Sequence, residues 1–197
     1  MEVKANNWLR IGILIPVIAL LISLNGCGKP ELERVDIAPE EETLTVGDTV
    51  SFKAVPRSTK GEEMADISVQ WRVDGEAGSI DNTGTFTAEQ PGQATVIAEA
   101  NGISNQATVT VDAPAVANLT LEPEAAETQP DSTVKITVSA TTQDGQAAGY
   151  QEVQVSTPTE GARVGAETVS LSDSGQAEFE VTVPPTPGKT MVTASVG

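Results

Sequence analysis

The chain has 197 residues and a formal net charge of −17, from 28 acidic and 11 basic side chains, with one cysteine and no histidine. The lack of histidine excludes His-based acid–base catalysis, Ser–His triads and most transition-metal sites. The acidic excess excludes nucleic acid as a partner, because phosphate binding requires clusters of Lys and Arg.

The N-terminal segment has the pattern of a bacterial export signal. Two cations precede an uncharged apolar run from residue 11 to 24, and the small residue Gly26 stands before Cys27. A cationic start, a short apolar core and a small residue before the cut are the features of a secretory signal peptide. We therefore predict that residues 1–26 are removed by cleavage between Gly26 and Cys27. The alternative is an uncleaved span, but this run is shorter than the about 20 apolar residues that a span needs.

The residues around the predicted cut are also informative. Leu24-Asn25-Gly26-Cys27 resembles the lipobox of bacterial lipoproteins, and Cys27 is the only cysteine. In that family a diacylglycerol is attached to the cysteine thiol, the chain is cut before it, and the new amine is often acylated. The resemblance implies lipidation at Cys27, residues 27–32 as a tether, and attachment to the extracytoplasmic face of the cell membrane. Two or more acyl chains would hold the protein firmly there.

Beyond the signal, apolar residues alternate with polar ones from about residue 34 to the end. A period of two places the apolar residues on one face of a β-sheet. The abundance of β-branched residues supports the same structure. We predict an all-β fold, and we see no convincing helix. The alternating sets are Val50, Phe52 and Ala54; Val69, Trp71 and Val73; Ala94, Val96 and Ala98; Ala107, Val109 and Val111; Val134, Ile136, Val138 and Ala140; Val153 and Val155; Ala177, Phe179, Val181 and Val183; and Val192, Ala194 and Val196.

Turn residues separate these runs. Asn101-Gly102 predicts a β-hairpin, because a type I′ turn needs positive φ at both central positions. Short strands at this spacing are typical of sandwiches or barrels. The other turn signals are Gly47-Asp48, Asp74-Gly75, Asn82-Thr83-Gly84, Pro91-Gly92, Asp144-Gly145, Asp173-Ser174-Gly175 and Pro187-Gly188.

The chain divides near Asp112–Ala115 into two related halves. The segment that begins at Gly92, GQATVIA, recurs loosely as GKTMVTA from Gly188, and DTVSF from Asp48 corresponds to STVKI from Ser132. We therefore predict two antiparallel β-sandwich domains in tandem, residues 33–112 and 113–197.

Each half resembles a bacterial immunoglobulin-like (Ig-like) domain. The first half resembles group 2 in its segments LTVGDTV, VQWRV, GSIDNTGTF, GQATVIA and ATVTV, in that order. The second half resembles group 1, found in invasin and intimin adhesins, in VKITV, DG, VQV, DSGQA and TASV. It departs from that group in lacking a clear apolar strand between Ser156 and Val164. The resemblances imply Ig-like sandwiches and favour a role in adhesion.

Candidate sites of other kinds are few. Sugar-binding sandwiches use exposed aromatic platforms, but alternation assigns Phe52, Trp71 and Phe179 to apolar faces, and only Tyr150 is expected to be free. The loops at Asp81-Asn82 and Asp173-Ser174 are rich in oxygen, but Asx turns account for both without calcium. We predict no catalytic residues, no cofactor and no metal site.

These observations predict a lipid-anchored cell-surface protein without catalysis, whose Ig-like domains act as a spacer or an adhesion module. One alternative is an accessory carbohydrate-binding module of the cell envelope. Another is a fragment of a longer Ig-like adhesin array. The expected partners are the membrane, through the lipid on Cys27, and an unidentified protein or polysaccharide of the envelope, with no nucleic acid.

Overall fold

The computed structural model describes residues 30–197, which form two β-sandwiches in tandem. The predicted all-β class and the two β-sandwiches are confirmed. Among residues 30–197, no helix is long and apolar enough to cross a membrane.

The first sandwich contains nine strands. Three hydrogen-bonded sets form it: β1–β4, β3–β7–β6 and β2–β9–β8–β5. A single residue, Phe52, separates β3 from β4, and its N–H donates to the carbonyl of Gly84 at 2.7 Å. The strands are β1 (Leu32–Ala38), β2 (Glu41–Thr45), β3 (Thr49–Ser51), β4 (Lys53–Ser58), β5 (Gln70–Asp74), β6 (Gly78–Ile80), β7 (Thr85–Ala88), β8 (Gly92–Ala100) and β9 (Ile103–Asp112).

The predicted hairpin at Asn101-Gly102 is present between β8 and β9. Ala100 pairs with Ile103, so the turn has two residues, and φ is 49° at Asn101 and 82° at Gly102. Positive φ at both positions is the requirement of a type I′ turn.

Strand β9 is central to the first sandwich because it is paired on both edges. It runs antiparallel to β8 and parallel to β2, where Glu41 faces Thr108 and Thr45 faces Asp112. This parallel pair is an exception to the antiparallel pairing predicted for the two sandwiches. Under β9 lies a core that includes Val35, Ile37, Phe52, Phe86, Val96 and Val109.

The second sandwich has seven strands in two sheets, in the orders β10–β11–β15–β13 and β14–β12–β16. Its core includes Ile136, Val138, Val153, Val155, Phe179 and Val181. The weak apolar pattern between Ser156 and Val164 corresponds to a loop and a two-residue strand. The strands are β10 (Asn118–Glu122), β11 (Thr133–Thr141), β12 (Glu152–Ser156), β13 (Arg163–Val164), β14 (Thr168–Ser170), β15 (Gln176–Thr182) and β16 (Thr193–Val196).

Candidate functional site

The predicted lipidation and cleavage residues, Cys27 and Gly26, lie outside the residues that the structure describes. The described part nevertheless shows how near the fold comes to them, because β1 begins at Leu32, five residues after Cys27. Five extended residues span at most about 18 Å. A lipid on Cys27 would therefore hold the first sandwich close to the membrane surface.

Acidic side chains are numerous, but they do not converge. Within residues 30–197, no group of three or more His, Cys, Asp or Glu side chains is arranged to share a metal ion. The acidic residues alternate outward on strands or occupy turns, as their sequence positions predict.

The loop at Asp81 uses its carboxylate to build a turn. Oδ1 of Asp81 accepts hydrogen bonds from the Thr83 N–H at 2.8 Å, the Thr83 hydroxyl at 2.6 Å and the Thr85 N–H at 3.0 Å. The Thr83 hydroxyl, followed by the Thr85 N–H, holds the pKa of Asp81 below its usual value. In the other oxygen-rich loop, the carboxylate of Asp173 accepts from the N–H of Ser174 at 2.7 Å. The bond from the Thr83 N–H to Asp81 is that of an Asx turn, whereas the carboxylate of Asp173 bonds only to the adjacent residue.

A second carboxylate is paired with two arginines on the face formed by β1 and β4. Oδ2 of Asp36 lies 2.5 Å from Nε of Arg57, and Oδ1 lies 2.9 Å from Nε of Arg34. Arg57 also donates to the carbonyl of Gly61 at 3.2 Å. The hydrogen bond from Arg57, and then that from Arg34, lowers the pKa of Asp36. This cluster joins β1 to β4 and uses its charges internally.

Most aromatic side chains belong to the two cores. Phe52 and Phe179 are buried, as predicted from alternation, and Phe86 is buried as well. Trp71 is half-buried and packs against the first core, where its ring centroid lies 6.4 Å from that of Phe52 with the planes tilted by 49°. The Trp71 ring is therefore a packing element rather than an open platform for sugar.

Tyr150 is the exposed aromatic residue among those described, and it lies between the sandwiches. Its side chain is 37% exposed, and its hydroxyl donates to the carbonyl of Glu89 at 3.3 Å. Beside it, the amide nitrogen of Gln151 donates to the carbonyl of Pro114 at 3.1 Å. A shallow cavity of about 380 Å³ is formed here by Tyr150 and Gln151 with Gln90 and Pro91. Tyr150 precedes β12 by two residues and so belongs to the second sandwich. Its hydrogen bond to Glu89 is therefore a contact between the two sandwiches.

A larger cavity lies in the second sandwich. It has a volume of about 780 Å³ and lies between the segment that follows β10 and the loop from β15 to β16. Its apolar lining includes Leu121, Val134, Ile136, Val181, Val183 and Val192. The segment that precedes β16 lines it through Thr190 and Val192. Among the described strands, β16 pairs with β12 alone.

Sequence reasoning did not predict this cavity, although a signal for it was present. If Gly188 is matched with Gly92, then β16 corresponds to the last residues of β8, and Val196 stands at the position of Ala100. The repeat therefore assigns β16 to the strand that precedes the hairpin in the first sandwich. Among the described residues, the second sandwich has no counterpart of β9.

Comparison with known proteins agrees with this fold. Residues 31–112 match the family model of the bacterial Ig-like domain, group 2. No curated protein matches the chain in sequence. The first half is thus a group 2 bacterial Ig-like domain, as its segments predicted.

Solved structures similar to the chain include several surface proteins. The adhesin InvE of Yersinia pseudotuberculosis is 18% identical, with a TM-score of 0.56, over 87% of this chain and 58% of that one. Domains 5–6 of the S-layer protein SbsC are 19% identical, with a TM-score of 0.39, over 85% of this chain and 92% of theirs. The D00–D0 domain of intimin is 16% identical, with a TM-score of 0.35, over 83% of this chain and 92% of that one. The likeness to the adhesin establishes the tandem Ig-like fold, and the chain spans little more than half of its length.

Proposed function

We propose that this chain, whose residues 31–112 form a group 2 bacterial Ig-like domain, is a lipid-anchored, non-catalytic module of the bacterial cell surface. Its two sandwiches serve as a structural spacer or an adhesion module at the extracytoplasmic face. The observation that carries the proposal is the position of the fold relative to the lipobox-like segment. Strand β1 begins five residues after Cys27, so the folded part starts where a lipidated tether would end.

The chemistry of the described surface supports a role in contact rather than in catalysis. Carboxylates at Asp36 and Asp81 are used by neighbouring arginines and turn donors. The described part also has large outward sheet faces bearing polar side chains. Such faces keep a surface module soluble while it presents its edges and loops to partners.

Membrane attachment can be tested by mass spectrometry of the protein isolated from membranes. The expected mature chain begins at Cys27 and carries acyl chains on that residue. Cys27→Ser should abolish the acyl mass and the membrane retention, whereas Ser23→Ala, in the apolar run, should leave both unchanged. A mature N-terminus other than Cys27, or a mass without acyl chains, would refute the lipid anchor.

The contact role needs a separate test. The full chain, displayed on the surface, should be cross-linked in intact cells and the cross-linked partners identified from the envelope fraction. A reproducible envelope protein or polysaccharide supports an adhesive or spacer role. A hydrolysed or modified envelope component in the same fractions would instead contradict the assignment as non-catalytic.

A further inference from the structure

We propose that the first sandwich has a further, mechanical function: it stays folded under a pull applied between the membrane anchor and the rest of the chain. The inferred mechanical clamp consists of residues 40–46 and 108–112, which form the pairing of β2 with β9 and its two ends. The backbone hydrogen bonds of the clamp are strained together along the strands rather than one after another. The proposal rests on the proposed function, because the lipid on Cys27 fixes one end of the chain.

The first argument is the path of the load through the first sandwich. The chain enters the sandwich at Leu32, the first residue of β1, and leaves it at Asp112, the last residue of β9. A pull between the membrane and any point of the chain beyond the linker therefore acts on the sandwich through these two residues. The bonds that resist the pull are determined by where the two residues lie relative to the strands.

The second argument is that the entry and the exit lie at opposite ends of the sandwich. Three hydrogen bonds join the chain from β1 to the end of β2 with successive points on β9. They run from Nδ2 of Asn105 to the carbonyl of Val35 at 2.9 Å, from the N–H of Thr108 to the carbonyl of Glu40 at 2.9 Å, and from the N–H of Val46 to the carbonyl of Asp112 at 3.1 Å. Residues 35–46 therefore follow β9 in the same direction, and a pull between the start of β1 and the end of β9 is directed along both segments.

The third argument is the parallel pairing of β2 with β9. The register runs from Glu41 opposite Thr108 to Thr45 opposite Asp112. In a parallel pair, the N-terminal end of one strand and the C-terminal end of its neighbour lie at opposite ends of an evenly spaced ladder. Pulling on those two ends slides one strand past the other and strains every bond of the ladder at once. The β8–β9 hairpin is the contrast, because its two outer ends face each other, and a pull between them would open its bonds one at a time.

Strand β1 carries the load before β2 does. It pairs with β4, and the carboxylate of Asp36 on β1 binds Arg57 on β4. Because β1 lies along the same pull, its bonds to β4 are also strained together. Once β1 is released, the load acts on β2 and β9 directly, and their ladder is the next barrier to unfolding.

The inner face of the clamp is shielded from water. Val109 and Val111 of β9 are buried, and Leu44 of β2 is half-buried against the same core. A strained hydrogen bond is given up readily only when water can replace it. Sliding of β2 along β9 would also move Leu44 off the core and cost apolar burial. Both effects oppose the sliding motion.

The proposal can be tested by pulling on the full chain in detergent micelles at constant force. Cys27→Ser removes the single cysteine, so that handles can be attached at two introduced thiols that flank the first sandwich, Glu31→Cys and Ala115→Cys. A second pair, Glu31→Cys with Ser104→Cys, places both handles at the same end, because Ser104 lies at the start of β9. We expect one abrupt lengthening with the first pair. Its lifetime before unfolding should be at least about tenfold longer than with the second pair, the factor for one to two net hydrogen bonds.

Two proline variants test the ladder itself. The bonds at Glu40 and Val46 place the even-numbered residues of β2 on the ladder side, so the N–H of Glu42 faces β9 and that of Thr43 faces the free edge. Glu42→Pro removes a ladder donor and should shorten the lifetime with the first handle pair by about fivefold, the factor for one net hydrogen bond. Thr43→Pro is the matched control and should leave that lifetime near the wild-type value, because proline is tolerated where the N–H of an edge strand faces solvent. The ratio of lifetimes between the two handle pairs should fall in Glu42→Pro alone, which a general loss of stability would not produce.

Several outcomes would overturn the proposal. They are equal lifetimes with the two handle pairs, a gradual lengthening with the first pair, and equal shortening by the two proline variants. If Glu42→Pro does not fold, the comparison of handle pairs in the chain with unchanged β2 still decides.

The clamp and the anchor are tested independently. A chain isolated from membranes without acyl groups would refute the lipid anchor but would leave these lifetimes unchanged. Equal lifetimes with the two handle pairs would refute the clamp but would leave the lipidation of Cys27 untouched.

Discussion

The hydroxyl of Tyr150, in the second sandwich, donates a hydrogen bond to the backbone carbonyl of Glu89 in the first, at 3.3 Å. The two residues are 61 positions apart, and the tyrosine has a φ of 62°, in the left-handed region. Together with the bond from Gln151 to Pro114, this contact joins the second sandwich to the end of the first and to the linker. The exposed aromatic residue therefore has a structural role at the junction.

Replacing Tyr150 with Phe should loosen the junction without weakening either sandwich. The lost hydrogen bond is partly exposed, and such bonds contribute only about 1 kcal/mol. We expect unchanged melting temperatures, but a larger difference between the rotational correlation times of the two sandwiches by NMR relaxation. Thr120→Ala, on β10 in the second sandwich, is the control and should change neither quantity. Equal correlation times in Tyr150→Phe and the wild type would show that the contact does not restrain the junction.

Replacing Trp71 with Ala should destabilise the first sandwich strongly. The ring packs on Phe52 and on the core, and truncation of a buried Trp costs about 3–5 kcal/mol. Because Trp71 is half-buried, we expect a loss near the lower end, measured as the free energy of unfolding in urea. Arg72→Ala, on the exposed face of the same strand, should have little effect. A similar free energy for Trp71→Ala and the wild type would make the ring a surface feature and would reopen the sugar-binding alternative.

Gly84 should tolerate alanine far less than Gly47. Both have positive φ, 87° and 95°, so a side chain at either costs about 1–2 kcal/mol in backbone strain. A Cβ at Gly84 would also lie 2.7 Å from the carbonyl oxygen of Phe52 and 3.0 Å from the ring of Trp71, whereas a Cβ at Gly47 would meet nothing within 4 Å. Gly84→Ala should therefore lower the thermal midpoint clearly more than Gly47→Ala. Equal losses would show that backbone strain alone determines the cost.

The stabilising contribution of the Asp36 carboxylate to the first sandwich should be lost in acid. The hydrogen bonds from Arg57 and Arg34 lower its pKa in the folded state below the usual value of 3.8. Its contribution is therefore present at neutral pH, and it is lost as the pH falls below the usual value and through the lowered pKa. The difference in melting temperature between wild type and Asp36→Asn should narrow on acidification through this window.

The hydrogen bond from Arg57, which we assign as the main cause of the lowered pKa of Asp36, can be tested directly. Arg57→Gln removes the larger contribution, so the pKa of Asp36 measured by NMR titration should rise towards the usual value. Lys53→Gln, on the same strand β4 but without a bond to Asp36, is the control. A pKa of Asp36 that stays unchanged in Arg57→Gln would contradict the assigned cause.

Much of the architecture followed from local patterns in the sequence. Alternation placed Val96, Val109 and Val138 in the cores, where they are fully buried, because the strand period forces successive side chains to opposite faces. The Asn101-Gly102 dipeptide predicted its hairpin, because few residue pairs accept positive φ at both positions. The lack of histidine excluded His-based acid–base catalysis. The predicted boundaries of the two domains and the lipidation of Cys27 stay predictions.

Only the tertiary structure decided which strands pair and which edge is left open. The parallel pairing of β2 with β9 joins residues far apart in sequence, and local alternation cannot distinguish it from an antiparallel pair. The contact of Tyr150 with Glu89 likewise depends on how two separate sandwiches meet. Val192 alternates in the sequence just as Val96 does, but burial needs a covering strand, and among the described residues only Val96 has one. The sequence by itself therefore determined the faces of the strands, whereas the pairing and burial of each strand became visible only when its neighbours were in place.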